Sequence, residues 1–250
     1  MSRGYQFDYA KINPGVFDRE GRRRKAETMV AVLRDFIAGP LGTRRLLDVG
    51  GSAGAIDIVM AEHFERVVGV DIDVPAIAHA HAQFARDNLH FLVGDAQGLA
   101  FADATFDVVL CSHVYEHVPD ASRLMQEILR VLKPGGVCYF AAGNRLAWHE
   151  PHYDLPLLSV LPRWLAHRYI RLAGKAEFYH EQHLSWWGLK HLVRDFERHD
   201  YTLRIAEDPA RFMASYMLPP GSLKTAVARF ILRVLPWLCP GYIWLLRKPG

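Results

Sequence analysis

The sequence predicts an α/β fold: a Rossmann-like, doubly wound, seven-stranded and mostly parallel sheet, with helices on both faces and a lid inserted after the fifth strand. Three observations carry this. Short apolar runs at 46–49, 66–73, 89–95, 106–111 and 137–142 alternate with segments of helical periodicity, the signature of parallel strands joined by crossover helices. The first run leads straight into Gly50-Gly51-Ser52-Ala53-Gly54 and then into breaker-free sequence. Only small residues let a ligand approach a backbone turn, and the helix behind the turn offers free N–H donors. The second and third runs end in the acids Asp71 and Asp95, at the carboxyl ends of strands where such sheets bind ligands.

Taken in order, Asp18 is an N-cap candidate for a helix running to about Ala38, with Ala26, Met29, Val30, Leu33, Phe36 and Ile37 on one face and Gly39-Pro40 as the stop. Its Arg22-Arg23-Arg24-Lys25 run reads as a solvated face. Leu46-Leu47 and Val49 form the first strand, and 55–61 the helix after it. The second strand, 66–73, carries Asp71 about 20 residues beyond Gly50, the spacing at which an acid meets the ribose hydroxyls of a bound nucleoside. Pro75 to Arg86 is a helix with proline in its first turn, followed by the strands at 89–95 and 106–111. A helix from Asp120 to Lys133 stops at Pro134-Gly135-Gly136, before the fifth strand.

Residues 144–183 break the rhythm. The segment is too long for an ordinary connection and too aromatic for a disordered one, which marks a functional lid. His149, His152, Tyr153, His180 and His183 are its polar candidates for contacting an acceptor, beside Asp154. Between Leu157 and Lys175 it interleaves Arg163, Arg168, Arg171 and Lys175 with aromatic and aliphatic residues and has no acid, a composition suited to an anionic membrane surface or a lipid-linked substrate. A helix is expected over 185–199, a sixth strand over 201–206, a helix over 222–235 with its apolar stripe buried on the sheet, and a closing strand over 242–246.

Composition bounds the rest. The chain has 250 residues, half of them hydrophobic, a net charge of +3 and thirteen histidines. That is ordinary for one globular domain, here 1–250 with an N-terminal helix at 18–38, a core at 44–143, the lid at 144–183 and closing elements at 184–250. Cys111, Cys138 and Cys239 lack metal-ligand spacing and read as buried free thiols of a reducing compartment. Met1 to Tyr5 holds no apolar signal core and no apolar run reaches membrane-spanning length, so a cytoplasmic protein is expected, with peripheral membrane contact open.

These motifs together resemble the class I S-adenosylmethionine-dependent methyltransferases, in the branch that acts on small molecules and lipids. The resemblance covers about residues 44–143 and rests on the first strand and turn, Val70-Asp71-Ile72-Asp73, Gly94-Asp95-Ala96, Phe106-Asp107-Val108-Val109 with Glu116-His117-Val118-Pro119-Asp120, and Leu132-Lys133-Pro134-Gly135-Gly136. It implies that S-adenosyl-L-methionine is held by Asp48, Gly50, Gly51, Ser52 and Gly54 around the turn, by Asp71 at the ribose, by Ile72, Asp95 and Ala96 at the adenine, and by Ser112 beside the sulfonium. Ser52 departs from the family, which usually has glycine there. His113 and His117 follow the fourth strand and are the candidates for proton removal if the acceptor is a hydroxyl. Similar quinone O-methyltransferases carry a metal at the position of the Glu116-His117 pair. Here His113 replaces a glutamate, and three ligands so close in sequence converge only through a sharp turn, so no metal is assigned.

The expected reaction is methyl transfer to a small-molecule, lipid or glycan acceptor. Its rivals are a cofactor-binding scaffold that has lost transfer and a nucleic-acid methyltransferase. The latter lacks support, since Cys111-Ser112-His113-Val114 stands where amino-methylating enzymes of nucleic acid place an Asn/Asp-Pro-Pro-aromatic run. The glycine spacing also differs from that of a nicotinamide dehydrogenase.

Overall fold

The computed structural model describes Phe7 and residues 9–250, with no side-chain description for Ile12 and Pro14; the reading of Met1 to Tyr5 lies outside it. Its helices are α1 (Tyr9–Ile12), α2 (Arg19–Phe36), α3 (Asp57–Met60), α4 (Val74–Gln83), α5 (Ala121–Val131), α6 (Arg163–Leu172), α7 (Trp186–Leu192), α8 (Thr202–Glu207) and α9 (Leu223–Val234). Its strands are β1 (Arg45–Val49), β2 (Arg66–Asp71), β3 (Leu89–Val93), β4 (Phe106–Ser112), β5 (Leu132–Gly143), β6 (His149–Glu150), β7 (Leu155–Pro156), β8 (Glu197–Asp200) and β9 (Gly241–Arg247).

Seven strands form one sheet in the order β3-β2-β1-β4-β5-β9-β8. The first five pair in parallel, and β9 runs antiparallel to both β5 and β8. Successive side chains point to opposite faces, so each central strand feeds two apolar layers. Leu46, Val108, Leu110 and Tyr139 enter one, with α2 across it. Leu47, Val109, Cys111 and Phe140 enter the other, with α5 and α7. All three cysteines are free and buried. The strand order reverses between β1 and β4, which opens a crevice at their carboxyl ends.

Several elements depart from the sequence reading. The helix after the turn at 50–54 is only four residues of α3. The helix expected over 185–199 ends at Leu192, and Glu197–Asp200 is the edge strand β8. Residues 201–206, expected as a strand, fall on α8 and the residue before it, where Asp200 Oδ1 accepts the Thr202 N–H at 2.9 Å. The Pro134-Gly135-Gly136 turn lies inside a bulged start of β5. Helix α9 stands where expected, but its apolar stripe is exposed instead of buried on the sheet.

The lid has its own apolar core of Leu155, Leu158, Ala166, Ile170 and Tyr179. It contains the β6–β7 hairpin and α6. The Arg145 N–H donates to the Leu184 carbonyl at 2.9 Å, so the lid leaves and rejoins the domain through one narrow neck.

Candidate active site

A cavity of about 450 Å³ opens at the carboxyl ends of β1, β2 and β4, within the range of small-molecule sites. Its floor is the β1–α3 turn. Gly50 has φ 77°, and a Cβ there would lie 2.6 Å from a Val114 methyl. Gly51 and Gly54 do not line the cavity. Gly51 makes room for the buried Asp57 carboxylate, 2.9 Å from where its Cβ would be, and Gly54 for the Phe91 ring at 2.7 Å. Ser52, at φ 52°, holds a left-handed conformation that a side chain disfavours.

Asp71 ends β2 at the cavity wall. Its Oδ2 accepts the Ser52 N–H at 2.8 Å and its Oδ1 accepts the Asp73 N–H at 2.9 Å, which fixes the carboxylate. The two carboxylate oxygens have four acceptor sites between them, so the carboxylate keeps capacity for a ligand hydroxyl. Burial pushes its pKa up, and the backbone donors of Asp73 and Ser52 pull it partly back. Ile72, Asp95, Ala96 and Ser112 continue the lining. Asp95 Oδ1 accepts the Gln97 N–H at 2.8 Å. A turn without bulk, an oriented acid at ribose distance from it and a second acid beyond make a cradle that fits S-adenosylmethionine.

Beneath the turn, Asp48 lines the cavity and faces buried Asp57. Burial pushes the Asp48 carboxyl up to about 7, and burial together with Asp48 pushes Asp57 well above the usual carboxylate range. Two acids in one dry site cannot both ionise cheaply, so the pair retains a proton near neutral pH. The nearby Arg22 favours the charged form of both.

Arg22 and Lys25 are residues that the sequence reading assigned to solvent. Both line the cavity, whereas Arg23 and Arg24 pair with Glu27 and Glu20. Spacing of three on a helix puts Arg22 and Lys25 on one face and was the available signal. Tyr9 and Asn13, from α1 and the turn after it, complete that wall.

The open side of the cavity carries imidazoles. His113 follows β4 at φ 57°, with a half-exposed ring whose Nδ1 lies 3.2 Å from Glu116 Oε1. Glu116 is buried, and Oε2 has no hydrogen-bond partner among the described residues. Burial raises its pKa, but the His113 hydrogen bond and the His113, His117 and His183 imidazoles outweigh this and hold it at about 2. His117 also lines the cavity, 3.7 Å from Glu181.

Of the lid candidates, His152 reaches the cavity, while His149, Tyr153, His180 and His183 lie outside its lining. His149 Nε2 meets Asp154 at 2.6 Å, Tyr153 packs on Tyr179, and His180 is exposed beside Phe178. His183 is buried against Gly143 and meets Glu150 Oε1 at 3.2 Å. Glu150, which sequence reasoning passed over, is the lid's organising residue. Its Oε1 also meets His152 Nδ1 at 2.5 Å, and its Oε2 accepts the N–H groups of His152 and Tyr153. Donor atoms of Glu116, His117 and His152 lie within 4.8 Å of one another. The convergence denied to three ligands of one loop is thus reached through the lid, in a place where both imidazoles already face carboxylates.

Residues 47–140 match the family model described as a methyltransferase domain. A Mycolicibacterium smegmatis protein named a probable S-adenosylmethionine-dependent methyltransferase is 32% identical over 144 residues, 58% of this chain and 53% of that protein. A ubiquinone biosynthesis O-methyltransferase of Paracidovorax citrulli is 33% identical over 148 residues, 55% of this chain and 60% of that protein. The chain therefore spans little more than half the length of these curated relatives. A chain from the solved complex between the Haloferax volcanii Trm112 methyltransferase activator and a methyltransferase shares the fold, with a TM-score of 0.59 and 20% identity over 99% of both chains. The strand order, the small-residue turn and the acids at the ends of its neighbours agree with these likenesses: residues 47–140 match a methyltransferase domain and are similar to S-adenosylmethionine-dependent methyltransferases.

Proposed function

We propose that the protein transfers a methyl group from S-adenosylmethionine to a hydroxyl of a small-molecule, lipid or glycan acceptor that enters beneath the lid. The observation that carries this is the single cavity wall running from the Asp71–Asp95 acids to the His113, His117 and His152 imidazoles. The O-methyltransferase relative supports a hydroxyl acceptor.

When bound, S-adenosylmethionine supplies a methyl group already activated by a sulfonium leaving group. Asp71 would accept from the ribose hydroxyls, Ile72 would pack on the adenine, and Asp95 with Ala96 would meet its edge. Gly50, Ser52 and the Asp48 carboxyl would line the methionine portion, and Arg22, on the same cavity wall, would meet its carboxylate. Gly51 and Gly54 act behind the turn, keeping its shape. Ser112 lies beside the reacting centre.

His113 takes the acceptor proton on Nε2 while Glu116 holds Nδ1, an orientation that fixes which nitrogen is basic. His117 and His152, whose rings meet edge to face with centroids 4.9 Å apart, position the acceptor from one side, and the lid excludes water. His149, Tyr153, His180 and His183 serve the acceptor indirectly, by shaping the lid that carries His152. No step is routed through a metal.

The test is incubation with methyl-labelled S-adenosylmethionine and fractionated lipid, glycan, phenolic and nucleic-acid extracts. Label in a hydroxylated small-molecule or lipid fraction is the expected result; label confined to RNA or DNA overturns it. Asp71→Ala is expected to weaken cofactor binding about 100-fold by calorimetry, the loss of two hydrogen bonds to a charged group. His113→Gln is expected to slow transfer at least about 100-fold with cofactor affinity unchanged. Wild-type turnover in that variant removes His113 from the chemistry.

A further inference from the structure

Helix α9 is built inside out. Two of its cations reach α8: Arg229 donates to the Ala206 carbonyl at 2.7 Å and the Glu207 carbonyl at 3.1 Å, and the partly exposed Arg233 pairs with the Glu207 carboxylate at 2.6 Å. These contacts fasten the polar side of α9 to the end of α8. Thr225 is buried and Leu232 packs against the second apolar layer, so the side of α9 away from these two residues points outward, and it is apolar. Leu223, Val227, Phe230 and Val234, spaced four, three and four residues apart, are 80, 47, 60 and 52% exposed. A contiguous apolar helix face of this kind on a folded domain marks an interaction surface.

The face continues past the helix. Leu238 is also exposed, and the neighbouring Trp237 ring stacks on exposed Trp187 of α7 with centroids 6.1 Å apart. This end of the face lies beside the neck of the lid, where Asn144 donates to the Trp237 carbonyl at 2.7 Å.

The charges choose the occupant. After Asp208 the chain contains Arg211, Lys224, Arg229, Arg233, Arg247 and Lys248 and no acid. Arg211 pairs with Asp35, and Arg229 and Arg233 with the end of α8, so Lys224 is the cation beside the apolar face. Lys224 is exposed in the first turn of α9, beside Leu223. A symmetric pairing of two copies through α9 would bring like charges together with no carboxylate on the helix to meet them. An anionic bilayer surface accepts both components: the aliphatic and aromatic side chains enter the acyl boundary, and lysine meets the headgroups. Helix α6 repeats the composition, with Trp164 and Leu172 exposed beside Arg168 and Arg171 and no acid in the helix.

We propose that α9 and the Trp187–Trp237 stack are a docking face for an anionic lipid bilayer, which holds the mouth of the catalytic crevice at the membrane surface. Among the described residues no helix is long and apolar enough to span a membrane, and the contact inferred is with one leaflet. The proposal rests on the reading of this crevice as a methyltransferase site only for its consequence, delivery of a lipid-dissolved acceptor; the contact itself is independent of that chemistry.

The full chain is tested by co-sedimentation with vesicles of phosphatidylcholine alone and of phosphatidylcholine mixed equally with phosphatidylglycerol. Binding to the mixed vesicles, weakened by salt, is expected. Phe230→Asp and Val227→Asp are each expected to weaken it at least about tenfold, and Lys224→Glu to weaken it on the anionic vesicles. Calorimetric affinity for S-adenosylmethionine should match wild type in all three variants, which shows that they are folded. Absence of binding to either vesicle, or equal binding by wild type and the Phe230 and Val227 variants, overturns the proposal. So does a dimer in sedimentation velocity that Phe230→Asp dissociates, which would assign the face to a second copy. Loss of vesicle binding with retained methyl transfer to a water-soluble acceptor would uphold docking and methyltransferase chemistry separately.

Discussion

Ser52 is where sequence and physics pull apart most visibly. Its departure from the family's glycine was legible in the sequence, and its cost is visible in the backbone: φ is 52°, in the left-handed region. That conformation costs a residue with a Cβ about 1–2 kcal/mol. It is held because the Ser52 N–H donates to Asp71 Oδ2, so the same carboxylate that faces the cavity also stabilises the turn. Glycine would relieve the strain while costing about 0.4–1 kcal/mol through the greater freedom of the unfolded chain. Ser52→Gly is therefore expected to stabilise the fold by about 0.5–1 kcal/mol. Thermal unfolding with and without cofactor reads this out, and a lowered melting temperature would show that the serine side chain contributes more than its backbone costs. Other residues were illegible for a different reason. Arg22, Asp57 and Glu150 carry no motif; the role of each follows from which side of its element it occupies and what lies across from it.

At the scale of elements, strong periodicity and turn chemistry made β1 to β5, α2, α4 and α5 legible, and a few side chains decided the misread ones. Glu197–Asp200 has no hydrophobic alternation because β8 is an edge strand, where charge is tolerated and guards against further pairing. Residues 201–206 alternate like a strand, yet the Asp200 carboxylate accepts the Thr202 N–H and the chain turns into α8 while Tyr201 is buried. The stripe of α9 has the period of a buried helix, and its direction was set by where Arg229 and Arg233 find carbonyl and carboxylate partners.

The Glu150 clasp extends the element argument to pH. Burial opposes both charges, but the hydrogen bonds between His152 and Glu150 prevail: the imidazole is raised above 6.5 and the carboxylate lowered from 4.5 to about 2. The raised imidazole stabilises the lid fully below its unfolded value and loses that effect as pH rises through the folded one. The lowered carboxylate stabilises the lid above its unfolded value and loses that effect as pH falls toward 2. Between about pH 4.5 and 6.5 both contributions are present, so amide exchange at 149–156 is expected to be best protected there after correction for intrinsic rates. Glu150→Gln should flatten the profile, and protection that keeps rising above pH 8 would contradict the clasp.

For the whole molecule, the arrangement is one sheet with two apolar layers and a lid with a third, separate core. The cofactor cradle depends mainly on the sheet: Asp71 ends β2, Asp95 follows β3, and the turn they serve follows β1. Within the cavity lining the lid contributes Pro151 and His152, on the acceptor side. Its neck is closed by the Arg145–Leu184 backbone hydrogen bond, so the chain ends left by removing it would already be adjacent. Replacing residues 146–183 by a short Gly-Ser linker is therefore expected to leave a folded domain. It should bind S-adenosylmethionine within about threefold of wild type, since short surface loops close at modest entropic cost. Methyl transfer should fall by more than about 100-fold, because positioning of the acceptor and exclusion of water both depend on the lid. Calorimetry on the deletion variant, beside a circular dichroism melt, separates the two effects. If cofactor affinity collapses while the melt remains cooperative, the lid is part of the cradle, and division of labour between sheet and lid is the wrong description of this fold.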